Sequence, residues 1–407
     1  MLLLFGGVFM MIRKIWTLER LGIISSNKKQ NHESAIWLHA ASVGEVNVIL
    51  PLLKEYLAHQ NSKIIVSTMT ITGQKYLIEK CGKDISRVGL VLMPLDLWFI
   101  WRFVLKQLKP TKMIIAETEL WPAMIFEVAH ANIPLVMVNA RISDKSYGSY
   151  LKFQFFFSKL LQKMKMIYTQ SEEDKNRLVA IGAQPEKIKV IGNLKNDGLR
   201  QLLISESKEI DFFPNQQRVV FGSLRPKELP FMIEALQELK KLNSEIKVVI
   251  CPRHFDWLSN LYNEMDTINI PYQIASKEGF APKNKDISLL VIDQIGFLQR
   301  AYVNAISAFV GGTLFTEYGG HNCLEPAALG VPVFHGPYFL EQLANTKALL
   351  SRGGSKIVNS ATEFVAEVEK MLLYPAVKTQ VSKCCLETVQ MESRAINELK
   401  KDNFFDT

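Results

Sequence analysis

The 407-residue chain has 48% apolar and 22% charged residues, an ordinary globular composition that excludes a disordered or fibrous protein. Its length exceeds what one average core needs, so two domains are expected. Lys+Arg 48 against Asp+Glu 40 leaves a formal net charge of +8, which points to an anionic partner: nucleic acid, lipid headgroups or a phosphorylated substrate. Cys81, Cys251, Cys323, Cys384 and Cys385 form no C-x-x-C pair and no Cys/His metal spacing, so they read as reduced thiols.

The chain opens on MLLLFGGVFMMI, followed by Arg13 and Lys14. This run is shorter than the roughly 20 apolar residues a spanning helix needs, and it lacks the basic start and small-residue cleavage site of a secretory signal. Residues 1–34 are expected to form a membrane-proximal segment, with Arg13, Lys14, Arg20, Lys28 and Lys29 outnumbering Glu19 over residues 1–30; a frayed terminus or a helix docked on its own domain is the other reading.

From Ala35, short β-branched runs alternate with amphipathic stretches. Strands are predicted at 35–40, 63–69, 89–95, 112–118, 134–140, 166–171 and 187–193. A polar break at 199–217 precedes a second series at 218–224, 246–252, 287–293, 307–313 and 331–337, and residues 361–405 read as helices only. Nearly continuous apolar strands separated by helices imply parallel sheets covered on both faces. The expected organisation is the segment 1–34, a Rossmann-like domain over 35–205, a second over 206–375, and C-terminal helices over 376–407 that pack back across the domains. Ligands are expected in a central cleft at the carboxyl ends of the strands.

Chemistry-bearing residues collect at those strand ends. In HAASVGEVN (39–47), Ser42 is a candidate N-cap, and Glu45 is either a capping glutamate or, if burial or a second carboxylate raises its pKa, a general base. In IIAETELWPAM (114–124), Glu117 and Glu119 share a face if the strand continues, and Pro122 opens a helix. Lys195 in GNLKNDG (192–198) is suited to a phosphate or a developing negative charge, or is an ordinary solvated lysine. Arg253 in CPRHFDW (251–257) offers a planar fork for an anion, and His254 is a ligand contact or a cap. Between 309 and 338, Gly311-Gly312 and Gly319-Gly320 permit close backbone approach, while His321-Asn322 lead into a helix start carrying Glu325. Two stretches, 97–112 and 145–171, contain no acid and mix lysines or arginine with aromatics. They fit interfacial membrane contact, or helices packing an aromatic face inward.

HAASVGE, STMTITG, PLDLWF, ETELWP, NARISDKSY, QSEEDKNRL, GNLK, PRH and GGHNCLEPAALGVPV occur in the order found in 3-deoxy-D-manno-oct-2-ulosonic acid (Kdo) transferases, a family this chain resembles across nearly its whole length. The resemblance implies an α/β GT-B fold, two Rossmann-like domains facing a central cleft, and transfer of Kdo from CMP-Kdo to a lipid A precursor (lipid IVA). It implies a peripheral or weakly anchored enzyme on the cytoplasmic side of a Gram-negative inner membrane. Carried onto this sequence, Glu45 is the proton acceptor, and Glu117 and Lys195 stabilise the transition state. CMP contacts fall on Pro252 and Arg253, on Gly296, Phe297 and Leu298, and on Asn322, Cys323, Leu324 and Glu325. Phe297 stands where the family usually has an acid, Cys323 replaces a proline, and FGSLRPKE (221–228) departs from the family's Ser-Thr-His stretch.

The resemblance implies an inverting transfer without cofactor or metal, in keeping with the lack of an Asp-x-Asp or His cluster. Expected partners are CMP-Kdo, the lipid acceptor and an anionic membrane surface, with no nucleic acid. Two other readings stand beside it. Another GT-B nucleotide-sugar transferase or epimerase would share the fold but not both SVGE and ETELWP. A non-catalytic basic binding protein would not require carboxylates at strand ends.

Overall fold

A computed structural model of the chain describes residues 18–24, 35–58, 63–197, 199, 212–214, 216–284 and 286–405. The chain divides into two units, Met1–Asp197 with Arg394–Thr407, and Gly198–Ser393. Each is an α/β unit built on a seven-stranded sheet in which every pairing is parallel.

In unit 1 the strands are β1 (Ile36–Ala40), β2 (Ile64–Thr68), β3 (Val88–Leu92), β4 (Lys112–Ala116), β5 (Leu135–Ala140), β6 (Met166–Thr169) and β7 (Ile188–Val190), in the order β3-β2-β1-β4-β5-β6-β7. Alternate residues of β1 feed two separate cores. Trp37 lies on one face with Trp101, ring centroids 5.4 Å apart, and Leu38 lies on the other with Ile49 and Leu52 of the helix Val43–Ala58. Such two-sided burial is what near-continuous apolar strands require.

Unit 2 contains β8 (Arg218–Leu224), β9 (Lys247–Pro252), β10 (Tyr272–Ile274), β11 (Leu289–Val291), β12 (Ser307–Val310), β13 (Val333–His335) and β14 (Ser355–Ile357), in the order β10-β11-β9-β8-β12-β13-β14. Every strand expected from sequence is present, most ending before the apolar run does. The edge strands β10 and β14 were not anticipated. Gln273 explains the first: it is buried within β10, its amide donating to the Gly279 and Ala281 carbonyls at 2.7 and 2.9 Å, so no apolar run marks the strand. In β14 Lys356 is exposed between Ser355 and Ile357.

The C-terminal segment divides. The helix Pro375–Glu392 packs Cys385 and Val389 against Leu324 and Ala327 of unit 2. The helix Ala395–Lys401 and Phe404 join the unit 1 core beside Tyr56 and Tyr168. Its first N–H groups, of Ala395 and Ile396, donate to the Asp197 carboxylate at 3.1 and 3.2 Å, an N-cap supplied from a distant part of the chain. Residues 1–17 of the expected membrane-proximal segment lie outside the described residues. Within 18–24, Arg20 is buried and donates to the Met69 carbonyl, while Glu19 accepts from Leu92 N–H at 3.0 Å, so both charges serve the loops after β2 and β3. No helix among the described residues is long and apolar enough to cross a membrane.

In both sheets the first strand has its successor on one side and a later strand on the other: β1 between β2 and β4, β8 between β9 and β12. Connections leave such a pair toward opposite faces, opening a crevice at the carboxyl edge. In unit 2 that crevice is bridged by Glu228, which is fully buried. Its carboxylate accepts N–H bonds from Arg225 at 3.0 Å, Gly312 at 2.8 Å, Thr313 at 3.0 Å and Leu314 at 3.2 Å. Gly311 is obligatory there, because a Cβ would sit 2.7 Å from Glu228 Oε2. Glu228→Ala strands these donors in a buried site, and is expected to lower the stability of unit 2 by on the order of 3 kcal/mol, read as a fall in urea midpoint; an unchanged midpoint would contradict this role.

Candidate active site

The crevice of unit 1 collects carboxylates. Ser42 precedes the helix Val43–Ala58, so Glu45 is its third residue and reaches back in capping fashion. Glu45 Oε2 accepts from the N–H groups of Ala41 and, at 3.1 Å, Ser42, and Ser42 Oγ donates to Oε1 at 3.1 Å. Those backbone donors lower its pKa, yet burial, then Glu119, then Glu117 outweigh them and push it up to about 7. The capping and titrating readings of Glu45 therefore hold together: the cap fixes the side chain and its surroundings raise the pKa.

Glu117 and Glu119 reach this point by a route different from the one expected. β4 stops at Ala116, and Glu117 adopts φ +58°, so strand alternation does not place the pair on one face. The turn is held by Glu117 N–H donating to Val138 O at 2.8 Å and by Thr118 Oγ donating to Arg141 O at 2.6 Å. Glu117 is then paired with Lys195, Nζ to Oε1 at 2.7 Å. Glu119 accepts from Trp121 Nε1 at 2.6 Å, and burial raises its pKa, opposed by that bond and supported by Glu117. Asp96, in the loop after β3, accepts from Ala123 and Met124 N–H at 3.2 and 2.8 Å, capping the helix Pro122–His130 that follows Trp121.

Lys195 is positioned by two asparagines that sequence reasoning missed. Asn139, the last residue but one of β5, is fully buried and adopts φ +58°, a conformation asparagine tolerates better than most residues. Its Oδ1 accepts from Leu194 N–H at 2.9 Å, and Asn193 Oδ1 accepts from Lys195 N–H at 3.0 Å. The visible signal was only a polar residue near the end of an apolar strand.

In unit 2 the expected CMP segments border the crevice beside β8. Tyr302 and Leu298 close over Gly222, where a Cβ would lie 2.0 Å from Tyr302 Oη and 3.0 Å from Leu298 Cδ1. Burial, then Glu325, raise the Tyr302 phenol well above its ordinary value, so the segment from Gly296 to Leu298 and the segment from Asn322 to Glu325 meet at this strand end. Gly296 adopts φ +94°, and the Phe297 ring packs 4.3 Å from that of Phe280. Asn322 Oδ1 accepts from Leu324 N–H at 3.0 Å. Cys323 and Leu324 are fully buried in the core, leaving backbone as what they can offer a ligand. Arg253, exposed after Pro252, is tied to the β8 loop by its N–H bond to Leu224 O at 3.0 Å. Burial, then Arg253, Arg225 and His254, lower the His321 pKa to about 4, so its imidazole is neutral within a basic cluster. Among the described residues no three His, Cys, Asp or Glu side chains gather as a metal site.

The sequence model of the 3-deoxy-D-manno-octulosonic-acid transferase (kdotransferase) family matches residues 17–198, the span that holds Glu45, Glu117 and Lys195. Over that span the chain is similar to this family. It is 29% identical over 347 residues to the 3-deoxy-D-manno-octulosonic acid transferase of Aquifex aeolicus, covering 84% of this chain and 87% of that one. With the enzyme of the same name from Chlamydophila psittaci it shares 29% over 349 residues, covering 83% and 77%. It is 34% identical over 342 residues to a bifunctional glycosyltransferase/methyltransferase of Fusobacterium nucleatum, of which it spans only 52%. In fold it is similar to the UDP-GlcNAc 2-epimerase of Neisseria meningitidis (TM-score 0.62, 14% identity, 90% of this chain and 98% of that one). A glycosyltransferase of Rickettsia africae gives TM-score 0.55 at 13% identity over 92% and 98%. The shared architecture is GT-B.

Within this Kdo transferase homologue, the elevated Glu45 pKa has a direct check. In carboxyl NMR titrations of the whole chain, Glu45 is expected to titrate around 7, and Glu119→Gln, by removing the stronger of the two like-charge interactions, to lower that midpoint. A Glu45 midpoint in the ordinary carboxylate range would contradict the arrangement.

Proposed function

We propose that this protein transfers Kdo from CMP-Kdo to a lipid A precursor such as lipid IVA, with inversion and with Glu45 as general base. The observation that carries the reading is Glu45 itself, held by Ala41 and Ser42 and raised to about 7 by burial, Glu119 and Glu117. A carboxylate of that basicity is matched to accepting an alcohol proton near neutrality. The names of the Aquifex and Chlamydophila relatives support transfer of the same sugar.

In the proposed step, Glu45 takes the proton of the primary hydroxyl on the acceptor's distal glucosamine. The oxygen forms its bond to the anomeric carbon of Kdo from the face opposite CMP. The bond from that carbon to the phosphate oxygen breaks, and CMP leaves with the electron pair. Lys195, held on Glu117 at 2.7 Å, supplies positive charge where negative charge develops, and Glu117 orients it. Pro252, Arg253, Gly296, Phe297, Leu298, Asn322, Cys323, Leu324 and Glu325 hold the CMP portion, Cys323 and Leu324 through backbone. These groups are sufficient for the charge of a single phosphate leaving group, and the proposed reaction uses no metal or cofactor. Glu45→Gln is expected to cut transfer by about 10²–10⁴-fold, followed as Kdo-lipid product by mass spectrometry, with calorimetric CMP affinity kept. Near-normal turnover would sink the assignment.

A lipid acceptor requires a membrane-facing surface, which we assign to the helix Trp98–Leu108 and, beside it in sequence, Leu97. Its inner face buries Ile100, Trp101, Val104, Leu105 and Leu108. Trp98, Phe99 and Phe103 on the other side are 58%, 52% and 50% exposed, with Lys106 also exposed. Arg102 stacks on Trp98 at 5.3 Å and is neutralised by Glu127 at 2.9 Å, so one expected headgroup contact is spent internally. The second acid-free stretch divides likewise, Phe156 and Phe157 packing on the core and Phe155 remaining 71% exposed. Interfacial rings with flanking cations suit an anionic bilayer surface on the cytoplasmic side. Replacing Trp98, Phe99 and Phe103 together by serine is expected to reduce co-sedimentation with phosphatidylglycerol vesicles several-fold; unchanged binding would exclude this face.

A further inference from the structure

The loop after β8 carries a cation that the proposed CMP contacts leave unused. Arg225 lays its guanidinium over the Tyr318 ring, Cζ 4.6 Å from the centroid. Its Nε is buried and has no hydrogen-bond partner among the described residues. The acids nearby are engaged elsewhere. Glu228 accepts four backbone N–H groups, that of Arg225 among them, and Glu317 pairs with Lys227 at 2.5 Å. Stacking fixes the plane of the guanidinium, burial strips water from one of its nitrogens, and no carboxylate among the described residues pairs with it. A guanidinium in that state is suited to a bidentate anion brought by a ligand.

Its surroundings strengthen the point. His321 Nε2 is also buried without a partner. A Cβ on Gly312 would meet His321 Nε2 at 3.0 Å and Tyr318 Cβ at 3.6 Å, so the imidazole and the ring under Arg225 flank one glycine. Gly312 adopts φ +72°, and its carbonyl accepts from Gly320 N–H at 2.8 Å, which holds the two glycine-bearing turns together. Arg253 stands at the end of the neighbouring strand β9, so two cations from two different loops serve one carboxyl edge. That arrangement suits a ligand with two separate anionic groups.

CMP-Kdo is such a ligand: besides its phosphodiester it carries a carboxylate directly on the anomeric carbon. We infer that Arg225 is a donor-specificity residue which grips the sugar carboxylate, beside His321 Nε2, while Arg253 serves the phosphate. The inference rests on the donor reading above and adds to it the group that distinguishes a ulosonic-acid donor from a neutral nucleotide sugar. It gives a role to the stretch FGSLRPKE, where this chain departs from the Ser-Thr-His pattern.

The test compares two ligands that differ in the carboxylate, on the full chain. Calorimetry gives the Kd for CMP, and initial rates give the KM for CMP-Kdo. Arg225→Met is expected to leave CMP affinity within about twofold while raising the CMP-Kdo KM roughly ten- to hundredfold. Arg225→Lys, which keeps the charge and loses the fork, should fall between. Arg253→Met should weaken both ligands. Arg225→Met that weakens CMP as much as CMP-Kdo, or that changes neither, overturns the assignment. Should Arg225→Met fail to fold, as lost ellipticity would reveal, Tyr318→Leu decides: a raised KM with unchanged CMP affinity supports the proposal, and an unchanged KM overturns it. Wild-type protein that binds CMP yet transfers no Kdo overturns the donor reading itself, an outcome distinct from an active enzyme indifferent to Arg225.

Discussion

A glutamate accepting backbone N–H groups at the point where strand order reverses recurs in both units, and the rest of each site depends on it. Connections from β1 and β4, or from β8 and β12, leave toward opposite faces of their sheet, and amide groups at the diverging turns lose their strand partners. Glu228 meets that need fully, taking four N–H groups and welding the loop after β8 to the loop after β12. Glu45 stands at the corresponding place after β1 but takes only the N–H groups of Ala41 and Ser42 and one hydroxyl. With fewer donors and two carboxylates close by, it stays half-buried and titratable. The same residue type at the same topological position is structural in one unit and chemically poised in the other.

The acids of unit 1 and the cations of unit 2 set opposite fields at their respective carboxyl edges. Glu119 and Glu117 both raise Glu45, and of the three carboxylates Glu117 is the one ion-paired among the described residues, with Lys195. An ion pair as exposed as Glu117–Lys195 contributes little to stability, so its value lies in where it fixes an ammonium group. The opposite field surrounds His321, whose imidazole stays neutral because burial and three basic neighbours oppose a further charge. In the proposed reading the second edge attracts a nucleotide donor with two negative groups, and at the first edge Lys195 meets the charge that develops. A hydroxyl acceptor carries no charge at its reacting atom and can approach Glu45 without repulsion from Glu119 and Glu117.

Much of this was legible in the sequence because apolar runs separated by helices report parallel strands directly, and the polar residues just past them fall where ligands bind. What was not legible depends on backbone geometry that periodicity does not encode. Glu117 and Glu119 both act on Glu45, yet through a turn begun by a left-handed residue rather than by strand alternation. Asn139 looks like one polar residue in a strand, and its importance comes from a partner, Leu194, far along the chain. Glu228 sits in a stretch that departs from the family pattern, so neither motif nor spacing drew attention to it. The strand β10 hides because its buried side chain is a glutamine satisfied by carbonyls of the following loop.

Fold likeness carries less than these details. A UDP-sugar epimerase overlays on 90% of the chain at 14% identity, so the two-sheet frame serves more than one chemistry and function must be argued from side chains. The charged side chains at the two edges are what narrow the reading. A half-buried carboxylate flanked by acids and raised to about 7 suits activation of an alcohol. A stacked guanidinium with an unpartnered nitrogen suits a carboxylate that neutral nucleotide sugars lack. Removing either feature leaves the same frame, which is why variants at Glu45 and Arg225 separate the chemistry of this chain from the architecture it shares.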